Sequence, residues 1–226
     1  MTSTIADQKT AKGLVSALYV RTKALHAEAE RSGIVVDILK GEASREDYIL
    51  FLRNLLPAYR ALEEGLARHA GSPMLSELAN YRLDRAPAIA ADLDALSGPG
   101  WETRVPVLKS ALTYAAKIND AANGDGSRLI AHAYTRYLGD LNGGQVLSRL
   151  LTKALGLKPN ETSFYDFSKF ADPIALKTDY RLAIDRAGDA VGDPEPVIEE
   201  GARAFELNIA LSEEAQQAAG SVAARS

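Results

Sequence analysis

Apolar residues recur along this chain at intervals of three and four, the spacing of helices that bury one face, and strand-like alternation is absent. The pattern predicts helices near 10–31, 44–68, 73–96, 104–122, 126–156, 173–187 and 194–219. Between them fall clusters of turn residues: SG at 32–33, KGEAS at 40–44, AGSP at 70–73, SGPG at 97–100, NGDG at 123–126, GLKPNET at 156–162 and GDAVGDPEP at 188–196. Ser44 with Asp47, and Ser72 before Pro73, read as helix starts. The expected fold class is all-α, without internal repeats and without a linker long enough to divide the chain.

The segment 126–156 carries a conflict. Its centre, GDLNGGQ at 139–145, contains the turn dipeptide NG and reads on its own as a loop between two helices. Periodicity on both sides favours one helix instead, because His132, Arg136, Gly139, Asp140, Gly143 and Leu147 then share a face. A continuous helix must absorb Gly139, Gly143 and Gly144, at a cost of roughly 3 kcal/mol relative to alanine. Glycine offers two things in return: bending, and close approach of another group to bare backbone. The stripe Tyr134, Leu138, Leu141 falls out of phase with Leu147, Leu150 and Ala154, so a kink is expected near Gly143 and Gly144.

Composition narrows the chemistry. With 226 residues, 46% of them hydrophobic and 25% charged, the chain is long enough for one large core. A net charge of -4 with scattered Lys and Arg gives no field for a phosphate backbone, so nucleic acid is not expected as a partner. The absence of cysteine removes disulfides, thiolate metal sites, iron–sulfur clusters and cysteine nucleophiles, leaving redox chemistry to a bound cofactor. No leader and no long apolar run is legible, and a soluble, cytoplasmic protein without a membrane anchor is expected.

Three histidines are available as imidazole ligands. His69 sits at a helix end, where a cationic or solvated ring is ordinary, and His132 between alanines suits packing or a hydrogen bond. His26 shares one helix face with Tyr19, Lys23 and Glu30 at steps of four, three and four. A lone helical histidine is more often a surface or core residue than a ligand. Iron held by one histidine, with a carboxylate one turn away to orient the ring, is nonetheless a standard oxygen-handling arrangement. Lys177, Tyr180 and Arg181 offer two cations and a hydroxyl to an anion, or form a solvated surface. Tyr59, Phe205 and Asn208 fit core contacts with ordinary polar satisfaction.

With these residues assembled, the sequence resembles the heme oxygenases. The resemblance is densest at AHAYTRYLGDLNGGQ (131–145) and extends to TKALHAEAE around His26, AYRALEE around Tyr59, LKTDYR at 176–181 and AFELNIAL at 204–211. It spans roughly residues 12 to 215, which sets a domain of those bounds between flexible ends at 1–11 and 216–226. It implies a helical bundle with heme between a proximal helix and a kinked, glycine-containing distal helix. By the same resemblance His26 is the axial ligand of heme b, Glu30 is its nearby carboxylate, and the backbone at Gly139 and Gly143 approaches the heme plane while Gly144 helps the kink. Asp140 is similar to the distal carboxylate of a water network supported by Tyr59, Arg136 and Asn208. Lys23, Tyr134, Lys177 and Arg181 match groups that hold the propionates, and Phe205 an aromatic beside the macrocycle.

The implied reaction is oxidative cleavage of heme, both substrate and cofactor, by O2 to biliverdin, carbon monoxide and ferrous iron, with the α isomer expected. A separate electron donor of ferredoxin or flavoprotein-reductase type is implied, since the chain has no flavin or nicotinamide fingerprint. Two positions depart from the family pattern: Tyr19 stands where some relatives carry lysine, and Asn142 where serine is frequent. A heme-binding protein without catalysis is the competing reading. A thiaminase-like or di-iron relative is a weaker one, lacking both the cysteine and the paired Glu-x-x-His ligands.

Overall fold

The structure is a computed structural model describing residues 13–170 and 172–223; the expected flexible segment 1–11 lies outside the described residues. Among the described residues every regular element is helical. The elements are α1 (Leu14–Ala29), α2 (Gly33–Lys40), α3 (Arg45–Arg68), α4 (Ser76–Asn80), α5 (Ala86–Ser97), α6 (Trp101–Arg104), α7 (Lys109–Ala121) and α8 (Leu129–Ala133). Two π-helical turns, Tyr134–Leu138 and Asp140–Gly144, lead into α9 (Gln145–Leu155). Short 3₁₀ turns at Pro159–Glu161 and Ser163–Tyr165 precede α10 (Pro173–Asp189) and α11 (Glu195–Ala223). None of the helices among the described residues is long and apolar enough to cross a membrane.

The bundle is organised around α3, which packs on α5, α7 and α11. Its start is fixed locally: Asp47 N donates to Ser44 Oγ at 3.1 Å and Ser44 N to Asp47 Oδ2 at 2.8 Å, the reciprocal box the sequence predicts. From there Tyr48, Leu52, Leu55, Leu56, Tyr59 and Leu62 keep one continuous stripe in the core.

Two expected helices divide, and a third is followed by an unexpected one. The helix expected over 73–96 is α4 and α5, separated at 81–85, and Ser72 starts a turn rather than a helix. The break is made from a distance: Glu63 Oε1 on α3 accepts from the backbone N–H groups of Arg85 and Ala86, so α3 caps α5. The helix expected over 104–122 is α6 and α7, because Asn54 binds the intervening backbone, donating to Pro106 O at 3.2 Å and accepting from Leu108 N at 2.6 Å. The expected 10–31 helix is α1, ending at Ala29, and α2 follows where no helix is expected between two turn signals. At the other end α11 continues past residue 219 to Ala223.

Gly33 opens α2 with φ of 63°, and an ideal Cβ there would stand 2.3 Å from the backbone carbon of Ser212 on α11. Any side chain would therefore combine left-handed strain with overlap against backbone that cannot yield. Gly33→Ala should destabilise the protein by about 2–4 kcal/mol, read as a lower midpoint in urea denaturation.

Candidate functional site

Helix α1 and the segment 134–144, which continues α8, both pack on α10 and α11. Each presents an unusual face. On α1, Leu14, Val15, Leu18 and Thr22 are buried, while Tyr19, Lys23, His26 and Glu30 lie on the exposed side. The His26 side chain is 54% exposed, and its Nδ1 stands 3.6 Å from Glu30 Oε1, leaving Nε2 as the nitrogen available to a ligand. Phe205 of α11 flanks the imidazole at 5.7 Å between ring centroids.

The segment 134–144 resolves the conflict in its sequence. It is not a loop but a continuous helical run distorted by widened turns, and a wide turn rotates everything after it relative to an α-helical register. Leu138 and Leu141 stay in the core while α9 buries Leu151, with Leu147 packed at the core margin. Asn142 takes part directly, its Nδ2 donating to Leu138 O at 2.7 Å. That carbonyl would accept the Asn142 backbone N–H in an α-helix, so the side chain stands in for the bond that widening removes.

The glycines divide by what they face. Gly144 is required by packing, since a Cβ would stand 2.9 Å from Tyr165 Cδ1. Gly139 and Gly143 have ordinary negative φ, and a Cβ at either would meet nothing within 4 Å. Neither backbone conformation nor any contact among the described residues requires them. A bare strip of helix open to space is what a flat ligand lying against the backbone needs.

Beside that strip lies a buried acid–base group. Asp140 Oδ2 accepts from the Tyr59 hydroxyl at 2.6 Å, and the Arg136 guanidinium sits 5.5 Å from the Tyr59 ring centroid. Burial pushes the Asp140 carboxyl up to about 6, with Arg136, the Tyr59 hydrogen bond and Arg85 pulling the other way. Burial works against the Arg136 charge too, but Tyr59, Tyr114 and Asp140 outweigh it and raise its pKa. Arg136 Nε and Nη1 have no hydrogen-bond partner among the described residues although both are buried. Unsatisfied donors at this depth call for water or a ligand.

The structure thus brings together Tyr59, Arg136 and Asp140 in one cluster and His26, Glu30 and Phe205 in another. Tyr134 is half-buried near Thr22, Arg181 and Tyr19, and burial raises its pKa. Among the described residues Lys23, Lys177 and Arg181 form no salt bridge, and half-buried Asn208 forms no hydrogen bond to Asp140. His69, expected as cationic or solvated, instead has its Nε2 2.9 Å from Ala122 O. Sequence reading missed Tyr165, Tyr114 and Arg85. Tyr165 comes from a 3₁₀ turn that no periodicity marks, whereas Tyr114 does lie on the buried stripe of α7.

The residue types fit a heme: an exposed imidazole nitrogen that could meet iron, a side-chain-free strip of helix, and the cations Lys23, Lys177 and Arg181 that could meet carboxylates. Fold and site define an all-α protein that carries an exposed histidine face on α1 and a strip of bare helix backbone at Gly139 and Gly143, two features that suit a flat ligand. Comparison with known proteins agrees. The heme oxygenase family model matches residues 12–214. Heme oxygenase 1 of Nostoc is 32% identical over 204 residues, covering 89% of this chain and 85% of that protein. Heme oxygenase 1 of Homo sapiens is 34% identical over 207 residues, covering 90% and 72% respectively. The crystal structure of heme oxygenase-1 from Synechocystis in complex with heme superposes with a TM-score of 0.85 at 30% identity, covering 94% of this chain and 96% of that one. The chain belongs to the heme oxygenase family.

The raised Asp140 pKa has a stability consequence of definite sign. The folded state holds this proton up to about pH 6, the unfolded state only to its ordinary 3.8, so stability falls as pH rises between them. Asp140→Asn lacks that dependence. Its stability relative to the parent should increase by about 2–3 kcal/mol between pH 4 and pH 7, measured by denaturant unfolding of heme-free protein at both pH values.

Proposed function

We propose that this chain cleaves heme b, using O2 and electrons from a separate protein, to biliverdin, carbon monoxide and ferrous iron. The observation that carries the reading is the strip at Gly139 and Gly143, bare for no reason internal to the protein, beside the buried Tyr59–Asp140 pair. Bound heme supplies the iron that activates oxygen and the porphyrin carbon that is oxidised.

The protein supplies position and protons. His26 holds the iron and Glu30 orients the imidazole, while Phe205 packs beside the ring. Lys23, Lys177 and Arg181, with Tyr134 and Tyr19 at the rim, hold the propionates and so fix the in-plane rotation, which selects the α edge. Gly139 and Gly143 bring backbone against the ligand and exclude water from one side, and Gly144 lets Tyr165 support the turn behind them. Asp140, with a pKa raised to about 6, is protonated in about a tenth of molecules at pH 7 and gains or loses its proton readily near neutrality. Tyr59 donates to its Oδ2, and Arg136 limits how far its pKa climbs. Asn208 completes the polar lining by accepting or donating through water.

The donor in this reading is of ferredoxin or flavoprotein-reductase type, meeting the exposed rim, and the setting is the cytoplasm.

Heme added to the protein with a reductant in air should lose its Soret band and yield biliverdin IXα on a chromatogram. Persistence of the band with no bile pigment sinks the catalytic reading in favour of heme binding alone. His26→Ala should change the spin-state spectrum of bound heme and recover activity in part with added imidazole; unchanged iron coordination would show that another group is the ligand.

A further inference from the structure

Behind the distal segment lies a buried polar cluster without a role in the account above. His132 of α8 is fully buried, with Nε2 3.0 Å from Oε1 of Glu200 on α11. The other oxygen of Glu200 accepts from Arg128 Nη1 at 3.2 Å and Arg203 Nη1 at 2.9 Å. Two guanidiniums keep this carboxylate ionised, and an ionised carboxylate only accepts. Nε2 of His132 must therefore carry the proton. Burial lowers the His132 pKa, so the ring is neutral and Nδ1 carries a lone pair.

Among the described residues that lone pair has no partner, and neither do three buried donors in the same region: Arg136 Nε, Arg136 Nη1 and the Tyr114 hydroxyl. The Tyr114 ring lies 5.9 Å from the His132 ring, and Arg136 follows His132 by one turn. Tyr114 interacts electrostatically with Arg136, Asp140 and Glu200, and His132 with Glu200, Arg128 and Arg136, so all belong to one cluster. A single water enclosed among them would donate to Nδ1 and accept from one Arg136 N–H and from the Tyr114 hydroxyl, satisfying the acceptor and two of the three donors.

We propose that His132, fixed as its Nε2–H tautomer by Glu200, is a positioning residue for the distal site: its Nδ1 accepts from Arg136 and Tyr114 through an enclosed water, and thereby sets how closely the Arg136 charge stands to Asp140. The inference rests on the reading of Asp140 as the group that holds a proton for heme cleavage. Arg136 is not the only group facing that carboxyl. Tyr59 reaches it from α3, Arg85 from the segment before α5, Tyr114 from α7, Tyr165 from the 163–165 turn and Tyr137 from the distal segment itself. Of these, only Arg136 and Tyr114 have buried donors that meet His132 without a partner of their own.

The chemistry resembles the use of a buried carboxylate to choose which imidazole nitrogen presents a lone pair, here turned toward an arginine. With the acceptor removed, Arg136 loses one of the partners that fix its guanidinium, and its pairing with Asp140 becomes looser. The Asp140 carboxyl then loses part of the attraction that keeps its pKa down.

The test uses the full heme-free chain. Nitrogen-15 spectra should show His132 protonated at Nε2 and bare at Nδ1 at neutral pH; a ring protonated at Nδ1 overturns the proposal. Infrared titration of the Asp140 carboxyl, assigned with Asp140→Asn, should move upward by about half to one pH unit in His132→Leu. His132→Asn, whose Oδ1 can accept near the Nδ1 position, should return toward the parent midpoint. An unchanged midpoint in folded His132→Leu overturns the proposal and leaves His132 a packing residue. Should His132→Leu not fold, Glu200→Gln serves instead: loosening the tautomer must shift the midpoint in the same direction, and no shift overturns the proposal. Heme is absent throughout, so failure here leaves the heme-cleavage reading standing. A chain that met these expectations yet cleaved no heme would sink that reading alone.

Discussion

A helix backbone left bare on one side is the constraint from which the rest of the structure follows. Three glycines between residues 139 and 144 weaken a helix by roughly 3 kcal/mol, and the surrounding elements must restore it. They do so by burial: Ile130, Ala131, Ala133, Tyr137, Leu138 and Leu141 are all in the core. Each large apolar side chain buried in this way contributes about 1.5–3 kcal/mol, so packing outweighs the glycine cost several times over. The open strip is thus held in place by the opposite face of the same segment.

The wide turns reconcile two demands that an α-helix could not meet together. Upstream residues must bury one stripe, downstream residues another, and Asp140 must point inward to Tyr59 while Gly139 and Gly143 face out. Asn142 stabilises the widened ladder through Leu138 O, and Tyr165 fills the space that Gly144 leaves. Tyr165 is itself placed by Asp92, which accepts from the backbone N–H groups of Ser163 and Phe164. Arg85 adds bonds to the carbonyls of Phe164 and Asp166 and lies over the Phe167 ring. A buried acid and a buried arginine on the α5 side therefore support the backbone that supports the distal wall.

Features decided by near neighbours were legible in the sequence. Ser44 and Asp47 cap α3 as their spacing predicts, and the faces of α1 and of the distal segment separate apolar from polar residues as helical periodicity requires. What depended on distant partners was not legible. The break at 81–85 comes from Glu63, 22 residues before Arg85, and the split after α6 from Asn54. The phase change of the apolar stripe announced a distortion near Gly143 but not its π-helical form. Arg136 and Asp140 shared a face by periodicity and Tyr59 joined them only through the family resemblance, whereas Arg85 and Tyr165 carry no local signal because a break and a 3₁₀ turn lack periodicity. Asn142, a departure without meaning in the sequence, acquires one as a stand-in for a displaced backbone bond.

The central claim is that Gly139 and Gly143 are glycine for a ligand and not for the fold. It is tested most directly by Gly139→Ala, with heme-free unfolding and heme affinity measured on the same preparation. Heme-free stability should stay level or rise, by at most about 1 kcal/mol, while heme binding weakens. Lower heme-free stability with unchanged heme affinity would contradict the account, because it would mean that the glycine serves the protein's own packing.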